Sequence, residues 1–115
     1  MNHVVIGGNS DIASEVIERL TNAGHQIHAL VRDQEHADRL QQQGHSATIG
    51  DATKEDDIKQ CIDAAKQKGE IHGILHCVGS IVIRPPHALN QDAFEEVITT
   101  NLTSAFLTLS IGGKA

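Results

Sequence analysis

Short β-rich runs alternate with amphipathic stretches along the whole chain, and that order leaves few folds open. Val4-Val5-Ile6, Ile27 to Val31, Ala47 to Gly50 and Ile71 to Val78 read as strands. After each of them apolar residues recur at helical spacing: Ile12, Ala13, Val16, Ile17 and Leu20, then Glu35 to Gln43, then Ile58, Ile62 and Ala65. The last such stretch carries Phe94, Val97, Ile98, Leu102, Ala105, Phe106 and Leu109. Punctuation agrees with the pattern. Asn22-Ala23-Gly24 offers a left-handed cap, Gly44 and Gly69 end the next two helices, and Asn90 caps the last. Thr53-Lys54-Glu55-Asp56 resembles a capping box, with the Thr53 hydroxyl accepting a backbone N–H three residues on. A βαβαβαβα order whose crossovers are helical joins parallel neighbours by right-handed connections, so the expected architecture is an α/β, doubly wound parallel sheet.

Composition narrows the function. A chain of 115 residues is a single domain, 1–115, with enough length for a core. With 39% hydrophobic and 21% charged residues it is neither disordered nor fibrous. Its 15 acidic residues outnumber 9 dispersed basic ones, giving a net charge of -6, which argues against nucleic acid as a partner. No apolar run has the length of a membrane span, and Met1 leads into the first strand without a basic region or cleavage site, so a cytoplasmic location is expected. Cys61 and Cys77 lack a CxxC or zinc-ligand context and read as reduced core thiols, and no metal site is expected. There is no Tyr and no Trp.

The turn Gly7-Gly8-Asn9-Ser10-Asp11-Ile12-Ala13 joins the first strand to the first helix. Glycine there permits a tight turn and close approach to a pyrophosphate, for which the helix N-terminus supplies donors. It equally suits an ordinary tight turn, and the Asp11 carboxylate would repel a diphosphate unless it turned away to cap the helix. Arg32 follows the second strand, where an acidic residue holds a ribose 2′-hydroxyl and an arginine accommodates a 2′-phosphate. The other reading of Arg32 is a surface residue paired with Asp33 or Glu35, and Asp33 could itself serve a ribose hydroxyl. Asp51 after the third strand is either an adenine contact or a turn residue. Asn101 interrupts an apolar helix and needs partners for its donors and acceptors.

These segments together resemble the short-chain dehydrogenase/reductase family. Ile6 to Ala13 falls on its T-G-x-x-x-G-I-G turn, of which Gly7 and Ile12 are kept, with Asp11 and Ala13 at its second and third glycines. Gly50-Asp51-Ala52-Thr53 looks like its D-V-T segment, His76-Cys77-Val78-Gly79 occupies the place of N-N-A-G, and Thr100-Asn101-Leu102 that of V-N-L. The resemblance implies a partial Rossmann-like domain that binds NADP(H) in preference to NAD(H) and transfers hydride between it and a small carbonyl or alcohol substrate. It places Gly7, Asn9, Ser10, Asp11 and Ile12 at the diphosphate and Arg32 at the 2′-phosphate. Asp51 and Ala52 fall at the adenine, and Cys77, Val78 and Gly79 on the nicotinamide side. It makes Asn101 the catalytic residue present. The loop from Ser80 to Leu89, with Ile81, Val82 and Ile83, would border the substrate. The family's Ser, Tyr and Lys are missing, so the chain reads as the N-terminal portion of a longer, homo-oligomeric reductase, inactive alone. The rivals are a non-catalytic NADP(H)-binding module or regulatory subunit, and an interaction fragment without nucleotide binding whose fourth strand is an open edge.

Overall fold

Val4, Val5 and Ile6 have no exposed surface, the burial a central parallel strand needs. The structure, a computed structural model, describes residues 1–8, 10–79 and 90–114. Among them β1 (Asn2–Ile6), β2 (Gln26–Val31), β3 (Ser46–Ile49) and β4 (Ile71–His76) form one sheet in the order β3-β2-β1-β4. All three pairings are parallel, with Ile6 opposite both Leu30 and His76. The helices are α1 (Asp11–Asn22), α2 (Gln34–Gln42), α3 (Glu55–Lys66), α4 (Gln91–Ile98) and α5 (Ser104–Gly112).

Side chains alternate across the central strands and so build two cores. Val5, Ile27, Ala29 and Val31 meet Ala13 and Ile17 of α1 and Ala37 and Leu40 of α2 on one face. Val4, Ile6 and Leu30 meet Ile58, Cys61, Ile62 and Ala65 of α3 on the other, with Leu107 and Ile111 of α5 packed alongside. His28, also buried, bridges two hydroxyls of β3, its Nδ1 2.6 Å from Ser46 Oγ and its Nε2 2.7 Å from Thr48 Oγ1. Burial pushes its pKa down to about 4, so it is a neutral polar clasp between β2 and β3 at pH 7.

The bounds of the strands and of α2 differ from expectation by at most two residues, as at β1, which begins at Asn2, and at β4, which stops at His76. Three differences have larger physical content. The cap of α3 is Lys54, without a side-chain hydrogen bond; the Thr53 hydroxyl turns back to donate to Asp51 Oδ1 at 2.7 Å. The cap of α1 is Ser10, whose Oγ accepts Ala13 N–H at 3.0 Å, while Asp11 is an exposed first-turn residue. The last helix is not uniform: α4 and α5 are joined through a π-helical turn, Thr99–Thr103. Asn90 caps α4 as expected. Cys61 and Cys77 are both free thiols, but only Cys61 is fully buried. No helix among the described residues is long and apolar enough to cross a membrane.

α5 packs unusually. Its buried residues are Ser104, Thr108 and Gly112, a one-sided row of small side chains. A Cβ added at Gly112 would stand 2.7 Å from Ile74 Cδ1, so the row brings the helix close to β4. Phe94, Ile98, Leu102, Phe106 and Leu109 of the same helical stretch are exposed, whereas Leu107 and Ile111 pack against the α3 core.

Candidate functional site

Parallel strands all end on the same side of the sheet, and the loops that leave them there surround a cleft of about 640 Å³. It collects Gly7 and Ser10 after β1, Leu30 and Arg32 at the end of β2, and Gly50, Asp51, Ala52 and Thr53 after β3. Cys77, Val78 and Gly79 after β4 complete that wall. α4 and the π-turn close the other side with Asp92, Glu95, Glu96, Thr99 and Thr100.

The first turn is shaped by close packing. Gly7 has φ +86°, and a Cβ there would lie 2.7 Å from Val78 Cγ2 and 2.9 Å from the Cys77 carbonyl oxygen. Gly8 sits against β2, where a Cβ would fall 2.8 Å from that of Ala29. Both glycine N–H groups donate to the Leu30 carbonyl at 3.0 Å. Among the described residues of this turn, the donors left for an anion are the Ser10 hydroxyl and the amino end of α1, which Ser10 brings to the cleft.

At the second corner Asp51 is held by three bonds. Its Oδ1 accepts the Thr53 N–H at 2.8 Å and the Thr53 hydroxyl at 2.7 Å, while its own N–H donates to Asp57 Oδ2 at 2.8 Å. The Thr53 hydrogen bonds keep the Asp51 carboxyl below its ordinary pKa against partial desolvation, with Arg32 and Lys54 adding attraction. Asp51 is thus a fixed carboxylate beside Arg32. Arg32 itself is exposed and pairs with neither residue considered from sequence: Asp33 caps α2 and holds His36, and Glu35 pairs with Arg39.

Asn101 lies in the π-turn, behind the Thr99 and Thr100 that face the cleft. Its Nδ2 donates to the Val97 carbonyl at 2.9 Å, and its Oδ1 approaches to 3.1 Å of where a Cβ on Gly79 would be. A side chain at position 79 would thus require the Asn101 amide to give by a few tenths of an ångström. Cys77 lines the cleft with its thiol pKa raised by burial, which disfavours a thiolate nucleophile.

The structure thus gathers Gly7, Ser10, Arg32, Asp51, Ala52, Cys77, Val78 and Gly79 in one cleft. Asp11 and Ile12 are exposed on the first turn of α1, outside the cleft wall. Asn9 and the Ser80 to Leu89 loop lie outside the described residues. Sequence reasoning missed the acidic wall of α4 and the lock of Thr53 on Asp51. The D-A-T spacing at residues 51–53 was the available signal, since Asp often bonds the backbone two residues on.

Comparison with known proteins agrees with this geometry. A model of the short chain dehydrogenase family matches residues 2–112. A tropinone reductase homolog of Arabidopsis thaliana is 27% identical over 114 residues, covering 92% of this chain and 44% of the relative. The chain thus spans less than half the length of that curated relative. Among solved structures, a short-chain dehydrogenase/reductase of Brucella melitensis described as a glucose/ribitol dehydrogenase superimposes with a TM-score of 0.92 at 19% identity, over 99% of this chain and 51% of the other. A 3-ketoacyl-(acyl-carrier-protein) reductase from the same organism, complexed with NADH, gives 0.86 at 18% identity, over 95% and 47%. With a family match across nearly its whole length and that family's fold around the cleft, this chain belongs to the short-chain dehydrogenase family.

Proposed function

We propose that residues 1–115 form an NAD(P)-binding domain of a short-chain oxidoreductase, and that NADP(H) is preferred over NAD(H). The observation that carries the reading is the cleft itself, which unites the phosphate turn, Arg32, the locked Asp51 and Gly79 at the strand ends. Ser10 and the amino end of α1 would take the diphosphate, with Asn9 and Ile12 from the same turn. Arg32 would take the 2′-phosphate through charge-assisted hydrogen bonds, Asp51 and Ala52 the adenine, and the Cys77 to Gly79 backbone the nicotinamide side. The cofactor would supply the hydride for a carbonyl or alcohol substrate. The chain's own residues bind and orient it, and Asn101, in the π-turn, is the catalytic residue among them. Because the sequence has no Tyr, the 115 residues alone are expected to bind without reducing.

The exposed row Phe94, Ile98, Leu102, Phe106 and Leu109 supports homo-oligomerisation of the reductase. Two free cysteines, one of them fully buried, fit a cytoplasmic location.

The test is a calorimetric titration of the chain with NADPH and NADH beside Arg32→Ala. NADPH should bind more tightly, and the substitution should lower its affinity by about tenfold while sparing NADH. Equal affinity of the native chain for the two would overturn the NADP(H) preference, and no binding of either by the folded chain would overturn the domain reading.

A further inference from the structure

The π-turn has a specific chemical problem and a specific solution. Ser104 N–H donates to the Thr99 carbonyl, five residues back, so Thr100 loses the donor that a regular α-helix would give its carbonyl. The Ser104 hydroxyl replaces it, with Oγ 2.5 Å from Thr100 O and 3.3 Å from Asn101 O. Carbonyls only accept, so the single hydroxyl proton is committed to the turn. Ser104 Oγ also lies 2.8 Å from His76 Nε2, and with its proton spent it must accept there. The network therefore assigns His76 as the tautomer carrying hydrogen on Nε2. Ser104 has no exposed surface, so water does not compete for either bond.

We infer that His76, acting through Ser104, is the positioning residue that holds the π-turn and with it Asn101. The inference rests on the proposed role of Asn101 in the reductase. The path is short: His76 ends β4 in register with Ile6, Ser104 opens α5, and the two carbonyls that Ser104 satisfies belong to Thr100 and to Asn101 itself. Rewinding the turn to α-helix would add about one residue's worth of helical winding, a rotation of roughly 100° between α4 and α5. Asn101 could not then keep both its Val97 bond and its approach to Gly79.

The groove between β4 and α5 shows what else faces His76. It is lined by Ile71, Ile74, Ala105, Thr108 and Leu109 with glycines, and His72 is the other titratable group in it. Protonating His76 would thus place a charge at the head of the Ser104 relay, with apolar and hydroxyl neighbours around it.

The experiment is a pH titration of the cofactor-free chain, following His76 by its ring carbon–proton signal and Thr100, Asn101 and Ser104 by their backbone amides. The amide shifts should share the midpoint of His76, keep it in His72→Asn, and lose it in Ser104→Ala. His76→Leu should shift the Asn101 side-chain amide, and His76→Asn, which retains a donor, should restore it. Asn101 signals that stay still while His76 titrates, or that still follow it in Ser104→Ala, would overturn the inference. If His76→Leu does not fold, the native titration and Ser104→Ala decide. Since no cofactor is present, the result is separate from the NADPH titration, whose failure would overturn the reductase reading instead.

Discussion

The flank built from α1 and α2 and the flank built from α5 use opposite halves of the same amphipathic logic. On the first, apolar residues turn inward: Ala13, Ile17, Ala37 and Leu40 cover β1 and β2. On the second, the fully buried residues are the small Ser104, Thr108 and Gly112, Leu107 and Ile111 only flank the core, and Phe106 and Leu109 face out, 63% and 76% exposed. The difference teaches that helical periodicity identifies which residues share a face without saying which face the sheet will take. Close approach decided it here, because Ser104, Thr108 and Gly112 let α5 sit near Ile74, and Ser104 and Thr108 satisfy their hydroxyls within the helix.

Substitutions can break or sharpen that contrast. Leu30→Ala, in the core shared by β2 and α3, should cost about 2–5 kcal/mol in urea unfolding. Next comes Gly7→Ala, which forces a side chain into a positive φ and against Val78 and the Cys77 carbonyl; about 1–3 kcal/mol should be lost. Acid should act more gradually. The unfolded chain protonates His28 near 6.5 while the fold holds it to about 4, so the unfolded state binds more protons between those values. Stability should therefore fall as the pH falls through that window, and His28→Asn should flatten the slope of the urea midpoint against pH. The smallest effect belongs to the outer face of α5: Phe106→Ser should change stability by less than about 0.5 kcal/mol while reducing self-association in sedimentation. A large loss there would mean that the exposed row is core after all.

Much of the fold is legible because its signals are local and agree with one another. Gly24 and Gly44 take positive φ at helix ends, and β-rich runs joined by helices leave a parallel sheet as the natural arrangement. The cleft at the strand ends was legible for a related reason, since strand ends in a parallel sheet converge whatever the side chains are. Thr53 was misread because its side chain is turned back to donate to the Asp51 carboxylate, and the cap position of α3 falls one residue later, on Lys54. The π-turn was invisible because Thr-Thr-Asn-Leu-Thr has no pattern that separates it from an α-helix, and the Ser104 that follows it is bonded to His76 from a strand 28 residues earlier. The acidic wall of the cleft likewise depends on how α4 lies across the strand ends, which no spacing within α4 records.

The Leu30 carbonyl accepts both glycine N–H groups of the first turn, and this has a kinetic meaning. Those two amides can exchange with solvent deuterium only when β1 and β2 separate, so their protection should match that of the central strands and exceed that of surface loops. Under the proposed function, a turn clamped in this way would meet a diphosphate already ordered. Its conformational entropy would be lost once, during folding, and not again each time a nucleotide arrived.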